Sequence, residues 1–425
     1  MQPLPGFRDF LPDDCAQRDY ITTQWRRSAK CYGFVEFDGP ALESAELYEK
    51  KNSGGEILSQ LYSFRDRGER SVVLRPEMTP TLARIIGSHH RSFLKPLRWF
   101  NIGHCYRYEK PQRGRLREFL QLNCDLLGES SPAADAEVIG LLIDIFKSVG
   151  LGPRDVVIRL SDRLVWQQFL QDHDLPDEKM REILHIVDKI EREPQSKTEE
   201  KLAACSSSLS VKMLQQFIKE AKAPSLAPLL QELSARGLRD YIQVDLSIVR
   251  GLAYYTGVVF EAFSLQGGLR ALAGGGRYDH LIHHLSDGAA NMPAVGFGMG
   301  DTVLLDFITS IPSAAEKKAS YLAANAPCQI YLVIADETYR EEAIMLASQL
   351  RREGWRVLFP LSTERVSKQF SNAQAARATL AIVIGAEWPL LKIKHLNTRE
   401  EEEITPEHLF KKLAGELQSR QGTFP

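Results

Sequence analysis

The chain has 425 residues, 44% hydrophobic and 25% charged, with 53 Lys and Arg against 55 Asp and Glu for a formal net charge of -2. That length predicts two or three domains, and no apolar run is long enough to cross a bilayer. The near-neutral balance excludes a histone-like polycation but leaves room for a local basic patch. The opening MQPLPGFRDFLPDD lacks the basic and apolar regions of a secretory signal, and the six cysteines have no zinc spacing. The expectation is a cytoplasmic protein with reduced thiols and no membrane association.

In chain order, residues 15–32 read as a helix ended by Gly33, and FVEFDGP as a strand stopped by Pro40. RSVVLRPE (70–77) reads as a strand. LRWFNIGHCYRYEK (97–110) and FLQLNCDLLG (119–128) read as two strands of a long hairpin joined by a charged tip. A helix over 133–150 and a strand over 156–160 follow. Residues 163–237 turn polar and helical, with Ile183, Ile186, Val187 and Ile190 on one face, and are expected to be a helical insertion. Residues 242–263 read as a pair of strands, and AVGFGMGDTVLLDFI as a glycine-rich strand feeding a helix. PSAAEKKASYLAANAP (312–327) reads as a linker. Beyond it, strand, helix, strand, helix and strand alternate, with Ile344, Leu346, Ala347 and Leu350 on the inner face of the first helix. That order predicts a small α/β domain on a largely parallel sheet.

The chemistry concentrates in a few stretches. RYEKPQRGRLRE (107–118) sets five basic side chains against two carboxylates. It is either a solvated edge-protecting tip or an anion site. Period two puts Arg107 with Glu109, and Gln121 with Asp125, on one polar face of a sheet that should otherwise pack a core. Phe119 offers a flat ring to a base or to another Arg, or is a plain core aromatic. Glu77 and Thr79 in LRPEMT share a strand face, suited to an ammonium group or simply to solvent. In VRGLAYYTGVVFE, Arg250 stands beside Gly251 and the Tyr254–Tyr255 pair, and is either a ligand contact or a paired interior Arg. The runs AGGGRYD and GFGMGD match neither GxGxxG nor the Walker pattern, and no HExxH or GxSxG occurs.

Taken in order, these segments resemble the class II aminoacyl-tRNA synthetases, and specifically the histidyl-tRNA synthetase family. FVEFDGP resembles motif 1, which in the family builds the dimer interface. YRYEKPQRGRLREFLQLNCDLLG resembles motif 2, IVRGLAYYTGVVFE the histidine-specific signature, and AVGFGMG the start of motif 3. The fold implied is α+β. An antiparallel-sheet catalytic core spans residues 1–322 with its insertion at 163–237, and an α/β anticodon-binding domain spans 328–425. The activity implied is ATP-dependent attachment of L-histidine to tRNA(His) through a histidyl-adenylate, by a homodimer, with Mg2+ held mainly by the ATP. The alternative within the same fold is a non-catalytic paralogue acting as a regulatory subunit or a histidine or RNA sensor.

The resemblance also implies roles. Arg107 and Arg250 are the catalytic cations. Arg107, Glu109, Arg115 and Phe119 hold ATP. Glu77, Thr79, Gln121, Asp125, Tyr254 and Tyr255 bind histidine, and Gln112 and Arg113 reach the tRNA acceptor end. Two positions depart from the family pattern. Ala253 stands where the signature carries Asp. Motif 3 reads GDTV rather than GLER, so Val303 occupies the position of the arginine that binds the γ-phosphate. Arg115, Arg117, Arg270 and Arg277 are the candidate replacements.

Overall fold

The computed structural model describes residues 1–49, 55–112, 114–176, 179–190, 193–220, 222–249, 254–267 and 270–422. Two compact units emerge, Met1–Lys318 and Ala319–Pro425.

The first unit carries strands β1 (Val35–Glu36), β2 (Leu42–Ser44), β3 (Tyr62–Arg65), β4 (Ser71–Leu74), β5 (Leu97–Tyr106) and β6 (Glu118–Leu127). It continues with β7 (Val156–Asp162), β8 (Ile242–Val244), β9 (Val258–Ser264), β10 (Ala273–Arg277) and β11 (Ala294–Gly300). Eight form one sheet in the order β1-β5-β6-β11-β10-β9-β7-β8, and β2-β4-β3 form a small second sheet. Pairing in the large sheet is antiparallel except where β1 meets β5 and β8 meets β7. This is the α+β class expected from the sequence. The predicted hairpin is present as β5–β6, in register from Leu97↔Leu127 to Tyr106↔Glu118. The expected strand pair in 242–263 is present too, but β8 and β9 flank β7 rather than each other.

Alternation along the strands sends Phe100, Leu122, Cys124, Phe260, Phe297 and Met299 to one face, all nearly inaccessible to solvent. Helices Pro12–Cys31 and Pro132–Ser148 lie on that side. The first has Pro12 at its start, Asp13 and Asp14 in its first turn and Lys30 in its last, as the helix dipole favours. Its Trp25, fully buried, donates through Nε1 to Met299 Sδ at 3.2 Å. Burying such a large side chain contributes about 1.5–3 kcal/mol. The described part of 163–237 is helical. There Ile183, Ile186 and Val187 join Trp166, Leu170 and Leu214 in a separate apolar cluster, with Ile190 packed at its margin.

In the second unit β12 (Ile330–Ile334), β13 (Val357–Leu358) and β14 (Leu380–Ile384) are parallel, β15 (Leu391–His395) adds antiparallel to β14, and β16 (Glu401–Ile404) antiparallel to β15. Helices Arg340–Arg352 and Pro406–Gly422 contribute to the cluster on one face, and Val366–Ala375 to the cluster on the other.

Three expectations are corrected. Residues 312–327 are not a bare linker, because helix Pro312–Ala324 occupies most of them. Alanine is the strongest helix former, and Pro312 sits at the tolerated first position. Ile344 is 41% exposed; Ala343 takes the inner place with Leu346, Ala347 and Leu350, which is the i, i+3, i+4, i+7 spacing of one helical stripe. Strand β4 stops at Leu74, so Glu77 and Thr79 share no strand face. Pro76 cannot donate to a ladder, and Thr79 already opens helix Thr79–His89 with Pro80 in its first turn.

Candidate active site

The sheet face opposite the core carries the cleft. Its floor follows from register and composition together. Asn101, Asn123, Gly298, Gly274 and Glu261 form one row across β5, β6, β11, β10 and β9. Asp125, Gly296 and Gly276 form the next row, and Gln121 pairs Gly300 one step the other way. On the middle strands every cleft-facing position from 274 to 276 and from 296 to 300 is glycine. The central sheet is therefore bare, and side chains from β6 lean over it. A Cβ on Gly296 would stand 2.0 Å from Asp125 Oδ1, and one on Gly298 would stand 2.5 Å from Gln121 Nε2. The cleft offers a cavity of about 140 Å³, open to solvent on one side.

Its lining includes seven of the expected residues: Glu77, Thr79, Arg107, Gln121, Asp125, Tyr254 and Tyr255. They arrive from four separate elements. Glu77 and Thr79 come from the segment that leaves β4 and enters helix Thr79–His89, which Arg75 pins by donating to Gly39 O at 2.7 Å and to His104 O at 2.8 Å. Tyr48 donates to Glu77 O at 3.3 Å, and Tyr254 reaches Glu77 Oε2 at 3.5 Å. Tyr255 packs its ring over Gly276, where a Cβ would come within 2.8 Å of it. Two further lining residues carry chemistry that the sequence reading passed over, Asn123 and Tyr278. Tyr278 lies in AGGGRYD, which reads as a mere glycine cluster until β10 is placed beside β11.

Asp125 dominates the electrostatics. It is 2% exposed, and Tyr278 donates its hydroxyl to Oδ1 at 2.5 Å. Oδ2 is equally buried and has no hydrogen-bond partner among the described residues. Burial pushes the carboxyl up to about 7, against a smaller opposing effect of the Tyr278 bond. Burial, with the neighbouring Asp125 charge, drives the Tyr278 phenol well above its usual range, so it remains a donor. An acceptor left unsatisfied at this depth is costly and calls for an N–H or O–H from a ligand.

At the other end of the cleft, Arg107 lies just beyond β5 rather than on it. Its backbone N–H still pairs with Arg117 O at 2.9 Å, its Nε donates to Pro76 O at 3.0 Å, and its guanidinium sits 5.3 Å from the centroid of Phe119. Glu109 is also past the strand, buried and ion-paired with Arg115. Gln112 and Arg115 close the tip by exchanging backbone hydrogen bonds of 3.0 and 2.8 Å, around Gly114 at φ 72°. Glu109, Gln112, Arg115 and Phe119 thus sit on the hairpin tip and its exit, outside the lining of the cleft proper. Arg113, Arg250 and Ala253 lie outside the described residues.

The candidate substitutes for the motif 3 arginine separate physically. Arg277 is excluded, because register turns it to the core face. There it is 6% exposed and bound to Asp135 at 2.9 Å, Asp279 at 3.1 Å and Glu129 O at 3.1 Å. Arg270 is exposed in the turn before β10. Arg115 is paired with Glu109, and Arg117 stacks 4.2 Å from the Tyr108 ring centroid. Val303 faces the hairpin tip: a Cβ on Gly114 would stand 3.1 Å from it. The aspartate of GDTV has a structural place of its own. Asp301, 1% exposed, takes Arg8 of GFRDFLPDD at 2.8 Å and the backbone N–H of Leu120 at 3.2 Å.

Three comparisons bear on this geometry. A family model described as histidyl-tRNA synthetase matches residues 6–302, and one described as anticodon binding domain matches 329–416. A histidine–tRNA ligase of Opitutus terrae is 39% identical, covering 96% of this chain and 97% of its own. A chloroplastic/mitochondrial histidine–tRNA ligase of Arabidopsis thaliana is 35% identical, covering 95% and 85%. In fold, the chain is similar to the crystal structure of histidyl-tRNA synthetase from Nostoc sp. PCC 7120, with a TM-score of 0.75, 24% identity and 99% of each chain covered.

Proposed function

The chain belongs to the histidyl-tRNA synthetase family, and from that premise we propose that it activates L-histidine with ATP and transfers the histidyl group to tRNA(His). The observation that carries this reading is the unpartnered Oδ2 of Asp125 beside Tyr278, at the closed end of a cleft whose other end is Arg107 over Phe119. One end suits a small ring with N–H groups, and the other suits a phosphate and a base.

In the first step a carboxylate oxygen of histidine attacks the α-phosphorus of ATP, and the bond to the bridging oxygen breaks as pyrophosphate leaves. Charge builds on phosphate oxygens, so the step needs fixed donors and no protein nucleophile. We assign Arg107 to the α-phosphate, Arg250 to the role of second catalytic cation, and Phe119 to the adenine face. Glu109 and Arg115 flank the base at the tip. Glu77, Thr79 and Gln121 take the amino-acid end, and Asp125, Tyr254 and Tyr255 surround the imidazole. In the second step the terminal ribose of the tRNA takes the histidyl group and AMP leaves, with Gln112 and Arg113 at the acceptor end. Mg2+ carried in with ATP would spread the charge of the phosphates. The carboxylate of Glu261, on the cleft face in the row of Gly274 and Gly298, would be the protein oxygen that helps to hold that ion.

We assign residues 1–322 to catalysis and 328–425 to the anticodon. A homodimer through the motif 1 segment is supported by Val35, 64% exposed on edge strand β1. No helix among the described residues is long and apolar enough to cross a membrane, and the working location we propose is the cytoplasm.

Histidine-dependent exchange of pyrophosphate into ATP, without tRNA, tests the reading. Exchange with histidine alone among amino acids supports it. Histidine binding with no exchange would favour the non-catalytic paralogue instead. The bare floor provides a further test. Gly296→Ala drives a methyl into Asp125 and into Cys124 O, 2.7 Å away. It is expected to raise KM for histidine at least ~10-fold while KM for ATP holds, a separation that a general loss of fold would not give.

A further inference from the structure

Gln121 is a primary amide, and an amide turned by half a rotation presents a donor where it had an acceptor at almost no steric difference. A site that must receive an ammonium group needs that choice fixed. Asn123, two residues along the same strand face, is 4% exposed and lines the cleft. Its Oδ1 accepts from Gln121 Nε2 at 3.0 Å. The donor edge of Gln121 is thereby turned down toward Asn123 and the bare backbone of Gly298, where a Cβ would meet Nε2 at 2.5 Å. The acceptor Oε1 is turned away from that contact. The neighbour of Asn123 across the β5–β6 pair, Asn101, spends its own amide donors on Phe37 O at 2.8 Å and Asp38 Oδ1 at 2.9 Å.

We propose that Asn123 is a positioning residue: by accepting from Gln121 Nε2 it commits Gln121 Oε1 to the α-ammonium of histidine, alongside Glu77. This rests on the reading of the cleft as the histidine site and adds which group of the amino acid Gln121 takes, and what makes it do so. Asn123 itself touches no reacting atom in this account. Without it, Gln121 samples both orientations, and the one that points its NH2 at the ammonium repels the substrate.

The test uses the full-length protein in pyrophosphate exchange, with two competing inhibitors. Histidinol keeps the amine and lacks the carboxylate; imidazolepropionate keeps the carboxylate and lacks the amine. Asn123→Ala is expected to raise KM for histidine about tenfold, leave KM for ATP unchanged, and weaken histidinol about tenfold more than imidazolepropionate. Asn123→Asp retains an acceptor of the same shape and can only accept from Nε2, so it is expected to rescue: histidine KM and the preference for histidinol return to wild type or better. The proposal is overturned if Asn123→Ala weakens both inhibitors equally or leaves both unchanged. It is also overturned if Asn123→Asp behaves like the alanine variant, which would mean that Asn123 donates rather than accepts. Absence of histidine-dependent exchange in the wild-type protein is a different failure, because it removes the parent reading and this inference with it.

Discussion

Arg107→Ala is expected to slow histidine-dependent adenylate formation by about a hundredfold or more, or about 3 kcal/mol of barrier, with KM for histidine nearly unchanged. The side chain is already held in place. Nε is spent on Pro76 O at 3.0 Å and the guanidinium plane lies against Phe119. The group is therefore oriented before any substrate arrives, and no rotamer entropy is lost in the transition state. A cation aimed at oxygens whose charge grows during the reaction acts mainly on kcat. Arg107→Lys is expected to recover little. A lysine has no planar fork, so it cannot hold the carbonyl and direct paired bonds at a phosphate together. The alanine variant also loses its contact with Phe119, so its melting temperature and its histidine affinity should be measured beside the single-turnover rate. A wild-type rate constant for adenylate formation would remove Arg107 from the phosphate.

The hairpin that presents Arg107 was legible because two long strands of alternating polarity flank a glycine-containing charged tip, and this signal is local. The small parallel sheet of the second unit was legible for a similar reason, since β12 and β14 are continuous apolar runs. Its antiparallel extension was not: β15 and β16 read LKIKH and EEEI, half charged, because both lie toward the sheet margin and face water on alternate residues. Helix Pro312–Ala324 was hidden by composition, since Ala and Ser with flanking prolines resemble a linker until helix propensity is weighed.

The site was legible by residue and not by arrangement. Glu77 and Thr79 were singled out on the premise of a strand, yet they meet the cleft from a turn and a helix start, because Pro76 and Pro80 forbid the ladder. Asn123 and Tyr278 were missed because their meaning lies in cross-strand neighbours that no local window contains. One signal could have pointed there. In GFGMG the glycines alternate, and period two puts all three on a single face. A strand with one face stripped of side chains is poorly suited to a core, and well suited to letting a ligand lie on the backbone. Arg277 shows the converse. Its charge invited a phosphate role, and one step of register sends it to the opposite face.

Asp125→Asn is expected to make the protein a poorer catalyst and a more stable fold, each with its own dependence on pH. In the free protein the carboxyl sits near 7, raised by burial above the 3.8 of an exposed aspartate. A group raised in this way favours the folded state fully below the unfolded value, and that contribution is lost as pH rises through about 7. Above neutrality the wild-type chain carries a buried charge with one oxygen unpartnered, whereas asparagine keeps the Tyr278 bond without the charge. The variant should therefore gain on the order of 2 kcal/mol in denaturant unfolding at pH 8, and almost nothing at pH 4. Activity should move the other way. An ionised Oδ2 accepts from the imidazole N–H, and each pH unit below about 7 removes roughly nine-tenths of the ionised form, so wild-type kcat/KM for histidine should fall about tenfold per unit there. The substrate's own imidazole, near 6.5, sharpens that limb. Asparagine forfeits a charge-assisted bond, about a hundredfold in kcat/KM at pH 8, and keeps only the shallower limb due to the substrate. Should the variant lose activity and stability together at pH 8, Asp125 is a structural carboxylate. Its free oxygen would then not be waiting for histidine.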